Sequence, residues 1–191
     1  MISSILLAAG QSKRMGGENK LTKKFQGIPL IKHSLKNILE SSVDEIIVVL
    51  GYQKENIERL IDKNDRIRIV FNKNFKNGIS SSIKLGLKNI SKNTEASFIC
   101  LADMPKVNFY NKIISLYMSN KDKSEIFIPT YKNKQTNPIL FAKSMESKIM
   151  SVQGDFGAKQ ILELYKNKIL NININDFALL KDFDAPDDFA S

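Results

Sequence analysis

Ser4-Ile5-Leu6-Leu7-Ala8-Ala9-Gly10-Gln11-Ser12-Lys13-Arg14-Met15-Gly16-Gly17-Glu18-Asn19-Lys20 is an apolar run that breaks into a glycine-containing loop carrying cations. Ser4–Ala8 is too short for a stable helix and is closed off by glycine, so it predicts a buried strand. Gly10, Gly16 and Gly17 carry no Cβ, which lets backbone N–H groups approach a phosphate closely, and Arg14 and Lys20 supply fixed positive charge. The loop lacks the Gly-Lys-Ser/Thr ending of a Walker A motif and the G-x-G-x-x-G spacing of a dinucleotide-binding turn, so a P-loop kinase or an NAD enzyme loses its main support. On spacing alone, an ordinary strand-to-helix loop with surface cations remains an alternative.

Outward from this stretch, short β-rich apolar runs alternate with segments of helical period. Strands are predicted at Ser4–Ala8, Glu45–Leu50, Arg66–Phe71, Ala96–Ala102, Glu125–Pro129, Pro138–Phe141 and near Ile169–Ile174, with helices at Pro29–Glu40, Asn56–Ile61, Ser82–Ile90 and Phe109–Met118. That alternation predicts one domain over residues 1–191, a three-layer α/β/α, Rossmann-like fold with a mostly parallel sheet. In such sheets ligands bind beyond the carboxyl ends of the strands. The loops to watch are therefore the long one after the first strand, Ala102-Asp103-Met104-Pro105, and the helix entry Gly78-Ile79-Ser80-Ser81-Ser82.

Composition narrows the classes. With 191 residues and 42% hydrophobic content the chain can bury a core without staples, and its one cysteine, Cys100, sits in an apolar run and reads as a buried strand residue in a reducing cytoplasm. No apolar stretch approaches the ~18 to 20 residues of a spanning helix, so no membrane partner is expected. The 29 Lys plus Arg against 20 Asp plus Glu give a net charge of +9, which permits a polyanionic partner such as a nucleotide or a phosphorylated metabolite. Only four of those cations are Arg, there is no Trp and no zinc spacing, and nucleic acid is not expected as a partner.

Several residues stand where chemistry is expected. Asp103, at the end of the central apolar strand, is suited to hold Mg²⁺ against phosphate oxygens, with capping of a turn as the alternative. Asn72, Gly78, Ser80, Ser81 and Ser82 cluster at a helix start, where unpaired N–H groups and hydroxyls can either cap the helix or meet a ligand. His33, the only histidine, falls inside a predicted helix and reads as structural. No Ser/His or Cys/His nucleophile is apparent, which suits direct attack by an acceptor that is already anionic, with catalysis by positioning and charge.

The string Leu7 to Lys20 resembles the nucleotidyltransferase signature L-A-A-G-x-x-x-R-M-G followed by Lys. Leu101-Ala102-Asp103-Met104-Pro105, Asn137-Pro138-Ile139-Leu140-Phe141 and Gly154-Asp155-Phe156-Gly157-Ala158 follow in the order of MobA-like proteins, and the resemblance runs from Ile5 to about Phe189. It implies a fold of the nucleotide-diphospho-sugar transferase type. It also implies that Leu7, Ala8 and Ala9 border the base, Gly10, Ser12 and Arg14 the phosphates, and Lys20 the triphosphate or the charge developing at the α-phosphorus. Asn72, Gly78 and Ser80 resemble a pattern beside the nucleotide in relatives. Asn137, Pro138, Gly154 and Asp155 would belong to the acceptor side, although Thr136 stands where relatives often have Gly. Asp184, in an acid-x-Pro segment, would join Asp103 at the metal, with Asp155 as competitor.

Within the family the resemblance is closest to the branch that transfers CMP from CTP to the terminal phosphate of molybdopterin, with Mg²⁺ as cofactor and a molybdenum hydroxylase as a candidate recipient. Cytosine is favoured because Ala9 stands where guanylyl-transferring relatives have a second Gly. The alternatives are GTP as donor, another phosphorylated acceptor such as a sugar phosphate, and a non-catalytic molybdopterin carrier.

Overall fold

The computed structural model describes residues 1–12, 15–151, 159–175, 181–184 and 186–189. The stretch that opened the sequence reading forms strand β1 (Ile2–Ala8), buried at every position, as a central parallel strand requires. After a short 3-10 turn at Lys20–Thr22, a small hairpin follows, β2 (Lys24–Phe25) and β3 (Ile28–Pro29), and then α1 (Leu30–Leu39) and β4 (Glu45–Leu50). The chain continues through α2 (Lys54–Glu58), β5 (Ile67–Phe71), α3 (Ile79–Leu87), β6 (Ala96–Leu101), α4 (Tyr110–Asn120) and β7 (Ile126–Tyr131). It closes with β8 (Lys134–Gln135), β9 (Ile139–Ala142), α5 (Glu146–Ser151), α6 (Lys159–Leu164) and β10 (Ile169–Asn173).

The main sheet has eight strands in the order β10-β7-β9-β6-β1-β4-β5, with β8 pairing to β7. β1 pairs in parallel with β4 and β6, and β4 with β5, whereas β9 runs antiparallel between β6 and β7. Alternation along β1 divides the core. Leu6 and Ala8 face α1 and α4 through Leu35, Ile38, Ile113 and Tyr117, while Ile5 and Leu7 face α3, α5 and α6 through Ile83, Leu87, Ile149 and Ile161. These are the two helical layers expected of a doubly wound sheet. Among the described residues, no helix is long and apolar enough to cross a membrane.

Successive units step from β1 to β4 to β5 on one side, and the chain then returns across β1 to β6. Strand order therefore reverses between β1 and β6, and there the loops after two adjacent parallel strands diverge and leave a crevice. Register aligns the two exits, with Leu7 opposite Leu101, while on the other side of β1 Ala8 stands opposite Leu50 of β4.

Departures from the expected elements have local causes. Pro29 is the N-cap of α1 rather than part of its first turn, because it pairs with Lys24 in the hairpin. Helix α3 starts at Ile79, three residues before the expected apolar stripe, since Gly78 at φ 93° turns the chain and Ser81 donates to the Gly78 carbonyl at 2.8 Å. α2 also lies earlier than expected, at Lys54–Glu58. α5 and α6 were not anticipated, their six-residue length being too short to display a period.

Candidate active site

The loop after β1 is shaped by hydrogen bonds from its own polar residues. Ser12 adopts φ 48°, its carbonyl accepts from Met15 N at 2.8 Å, and its hydroxyl oxygen accepts from Lys20 N at 3.1 Å. Asn19 is 1% exposed and caps the 3-10 turn that carries Lys20, accepting from Leu21 N at 3.1 Å and donating to the Tyr52 carbonyl at 3.1 Å. Tyr52 Oη and Gln53 Nε2 each donate to the Gly17 carbonyl at 3.0 Å. The loop is thus tied at its base by Ser12 and at its far side by the segment that follows β4.

Lys20 is the focus of the result. Its ammonium lies 2.5 Å from Asp103 Oδ2 and 2.5 Å from Asp184 Oδ1, with side chains only 14%, 17% and 23% exposed respectively. Burial acts to lower the Lys20 pKa, but the charges and hydrogen bonds of Asp103 and Asp184 outweigh it, and the group is held above its ordinary value. Asp182 adds a third carboxyl nearby, pushed above its usual range first by burial and then by the negative charge of Asp184 and Asp103. This end of the cleft is therefore strongly cation-seeking.

One atom is left over. Asp103 Oδ1 is buried and has no hydrogen-bond partner among the described residues. A buried carboxylate oxygen without a donor is costly unless something positive meets it. No three acidic, His or Cys side chains come together as a metal cage among the described residues. One or two carboxylates, with phosphate oxygens and water completing the shell, are the donor set that Mg²⁺ prefers, so the residues present fit such an ion arriving with a nucleotide.

The cleft around this triad has a volume of about 490 Å³ and is lined by Leu7, Ala8, Ala9, Gly10, Ser12, Lys20, Gly78, Asp103 and Asp184, all anticipated from sequence. Among the described residues, Gln11, Leu21, Phe75, Lys76, Ile79, Ser82 and Leu101 also line it. Asn72 and Ser80 do not line it. Asn72 is 6% exposed and spends its amide on neighbours, donating to Ser81 Oγ at 2.8 Å and Ser82 Oγ at 2.9 Å while accepting from Asn74 N at 2.9 Å. It thereby fastens the loop bearing Phe75 and Lys76 to the start of α3. Asn137 and Pro138, joined by a cis peptide bond, also stand outside the lining. They precede β9, whose Ile139 pairs with Ile99, so they sit toward the carboxyl edge of β6, one strand from the cleft. Arg14, Gly154 and Asp155 lie outside the described residues.

Phe75, Lys76, Gly51 and Asn19 were missed by sequence reasoning. Gly51 follows β4, and a Cβ on it would come within 2.8 Å of both Ala9 Cβ and Phe75 Cβ, so glycine lets the chain pass this close to the two cleft residues. The loop-after-strand rule applied to β4 would have found Gly51, and an Asx cap one residue before a loop lysine would have found Asn19.

A cleft at the reversal point of a doubly wound sheet, with a lysine and paired carboxylates beside a glycine-bearing loop, sits here in a fold of the nucleotide-diphospho-sugar transferase type. More narrowly, the chain belongs to the MobA-like NTP transferase family, whose domain matches residues 4–169. A "Probable molybdenum cofactor guanylyltransferase" of Methanosarcina mazei is 30% identical over 149 residues, which span 75% of this chain and 64% of that protein. The "Molybdenum cofactor cytidylyltransferase" of Escherichia coli K12 is 26% identical over 190 residues, 98% of this chain and 93% of that one. The crystal structure of Rv0371c from Mycobacterium tuberculosis H37Rv superposes with a TM-score of 0.84 at 19% identity, covering 99% of this chain and 95% of that one. Rv0371c has also been solved in complex with manganese, with a TM-score of 0.78 to this chain at 17% identity.

Proposed function

We propose that the protein transfers CMP from CTP to the terminal phosphate of a molybdopterin-type acceptor and releases pyrophosphate. The observation that carries this reading is the Lys20–Asp103–Asp184 triad lining the cleft, together with the buried Oδ1 of Asp103, which has no hydrogen-bond partner among the described residues. An oxygen of the acceptor phosphate attacks the α-phosphorus, a new P–O bond forms, and the bond to the β-phosphate oxygen breaks with its electron pair leaving on pyrophosphate. The attacking oxygen is already anionic, so no general base is required.

In this reading Leu7, Ala8 and Ala9 border the base, while Gly10 and Ser12, with Arg14, surround the phosphates. Lys20 leaves its carboxylate partners for the triphosphate and offsets charge developing at the α-phosphorus and on the leaving group. Asp103 and Asp184 would hold Mg²⁺, which when bound neutralises non-bridging phosphate oxygens. Gly78 offers its N–H side at the start of α3, and Ser80 and Asn72 support that corner from behind. Asn137, Pro138, Gly154 and Asp155 serve the acceptor, and a molybdenum hydroxylase is the natural recipient of the product.

Cytosine is supported by Ala9, which is 7% exposed and lines the cleft, where its methyl narrows the space that a second glycine would leave for a larger base. Relatives named for both guanylyl and cytidylyl transfer make GTP the specific competitor. The test is pyrophosphate release with molybdopterin and each of CTP and GTP. Turnover with CTP at least tenfold above GTP supports the reading. A GTP preference refutes the base assignment, and binding of molybdopterin without pyrophosphate from either donor refutes the enzyme in favour of a carrier.

A further inference from the structure

Asp184 lies 164 residues from Lys20 in sequence, shortly before a 3-10 turn at Pro186–Phe189. The ion pair holds the tip of the Asp184 side chain and leaves the backbone that carries it to be placed by other contacts. The residue before Asp184 supplies them. Phe183 is 0% exposed, and its ring meets that of Phe25 edge-on at a centroid distance of 4.7 Å and that of Phe189 at 5.3 Å.

Both neighbours of the Phe183 anchor lead back to the triad. Phe25 sits in the hairpin that directly follows the Lys20 turn, and it is fixed in turn by α1, where His33 Nε2 shares a hydrogen bond with the Phe25 carbonyl at 2.8 Å and the two rings lie 5.2 Å apart. Phe183 N donates to the carbonyl of Asp103 itself at 3.0 Å. Asp188 then accepts from Asp184 N at 2.8 Å, which ties the backbone of Asp184 to the turn that follows. Edge-to-face rings bury a large apolar area with a defined geometry, so the pair sets orientation as well as proximity.

We propose that the Phe25–Phe183 ring pair, extended by Phe189, is the clasp that seats Asp184 against Lys20 and Asp103, making Phe183 and Phe25 positioning residues that act through the Asp184 carboxylate. The proposal rests on the reading of Asp103 and Asp184 as metal-binding groups, and its test separates the two. Two measurements on the full chain decide it. The first is amide hydrogen exchange over residues 181–189 without ligand, in the wild type, Phe183→Leu and Phe183→Ala. The second is Mn²⁺ affinity by electron paramagnetic resonance in the same proteins, in Asp184→Asn and in the double variant.

The clasp predicts slow exchange at the Phe183 amide in the wild type, lost in Phe183→Ala. It also predicts Mn²⁺ affinity weakened about tenfold in Phe183→Ala, as for loss of a group that orients a metal ligand. Phe183→Leu, which keeps the core filled, serves if Phe183→Ala fails to fold. In Asp184→Asn, removal of the ring should cost nothing further, because both changes act on one carboxylate. Losses that multiply in the double variant, or Mn²⁺ affinity unmoved by either Phe183 change, overturn the clasp. Unchanged Mn²⁺ affinity in Asp184→Asn refutes the metal reading instead. Exchange then decides the clasp alone, with fast exchange across the wild-type segment overturning it.

Discussion

At the residue scale, the account turns on what Asp103 and Lys20 do for one another and for a bound triphosphate. Asp103→Asn keeps the shape and removes the charge, and turnover should fall about 10²-fold, the usual loss when one preorganised charge-stabilising group is deleted. Lys20→Met should lose a similar factor while Lys20→Arg retains part of the activity; pyrophosphate release under saturating CTP measures both. A second prediction concerns a residue with no catalytic part. Burial pushes the Cys100 thiol up to about 12, against countering hydrogen bonds from Ser4 and Tyr110, and burial raises Tyr110 as well. Both groups keep their protons in the folded state where the unfolded chain loses them. Stability should therefore fall as pH rises above about 9 toward 12. Urea midpoints at pH 7, 9 and 11 should decline, and the decline should be shallower in Cys100→Ala; identical slopes would contradict the assignment.

At the element scale, close approach between loops and strands sets the shape of the cleft. Gly51→Ala would drive a methyl to 2.8 Å from Ala9 Cβ and Phe75 Cβ and 2.9 Å from the Ala9 carbonyl. Overpacking of this kind costs about 1–3 kcal/mol, and because the backbone of the cleft-lining loop after β1 must give way, CTP affinity should fall with stability. Chemical denaturation and nucleotide titration of the variant read the two effects, and an unchanged affinity would remove Gly51 from the site. The strands were legible in sequence because β1, β4 and β6 are short, largely apolar runs, and the cleft residues Gly10 and Asp103 stand just after strands, with Lys20 further along the loop that follows β1. Phe75 and Lys76 were not legible. They reach the cleft through Asn72, which bonds across ten residues to Ser82, and no local period reports such a tie. Phe183 was hidden for a related reason, since its ring matters only through contacts with Phe25, far away in sequence.

At the scale of the whole molecule, a chain of net charge +9 surrounds a cleft in which the carboxylates of Asp103 and Asp184 stand together. The overall field should draw a polyanionic nucleotide inward while the carboxylates require it to arrive with its cation. The association rate of CTP with Mg²⁺, measured by stopped flow, should consequently fall as ionic strength rises from about 10 mM to 150 mM, where screening shortens to about 8 Å; a rate insensitive to salt would leave the charge without a part in binding.

The central claim is that this cleft binds a nucleoside triphosphate through a divalent cation on Asp103. Thermal unfolding with Mg²⁺ and, separately, CTP, GTP, UTP or ATP, in the wild type and in Asp103→Ala, tests it most directly. Ligand at about 100 times its dissociation constant stabilises by about 2.7 kcal/mol, a rise of roughly 5–10 °C in the midpoint for a domain of this size. The account predicts such a rise with CTP, smaller rises with the other nucleotides, and its loss when Mg²⁺ is omitted or Asp103 is replaced. An equal CTP shift in Asp103→Ala, or no shift with any nucleotide, would contradict it.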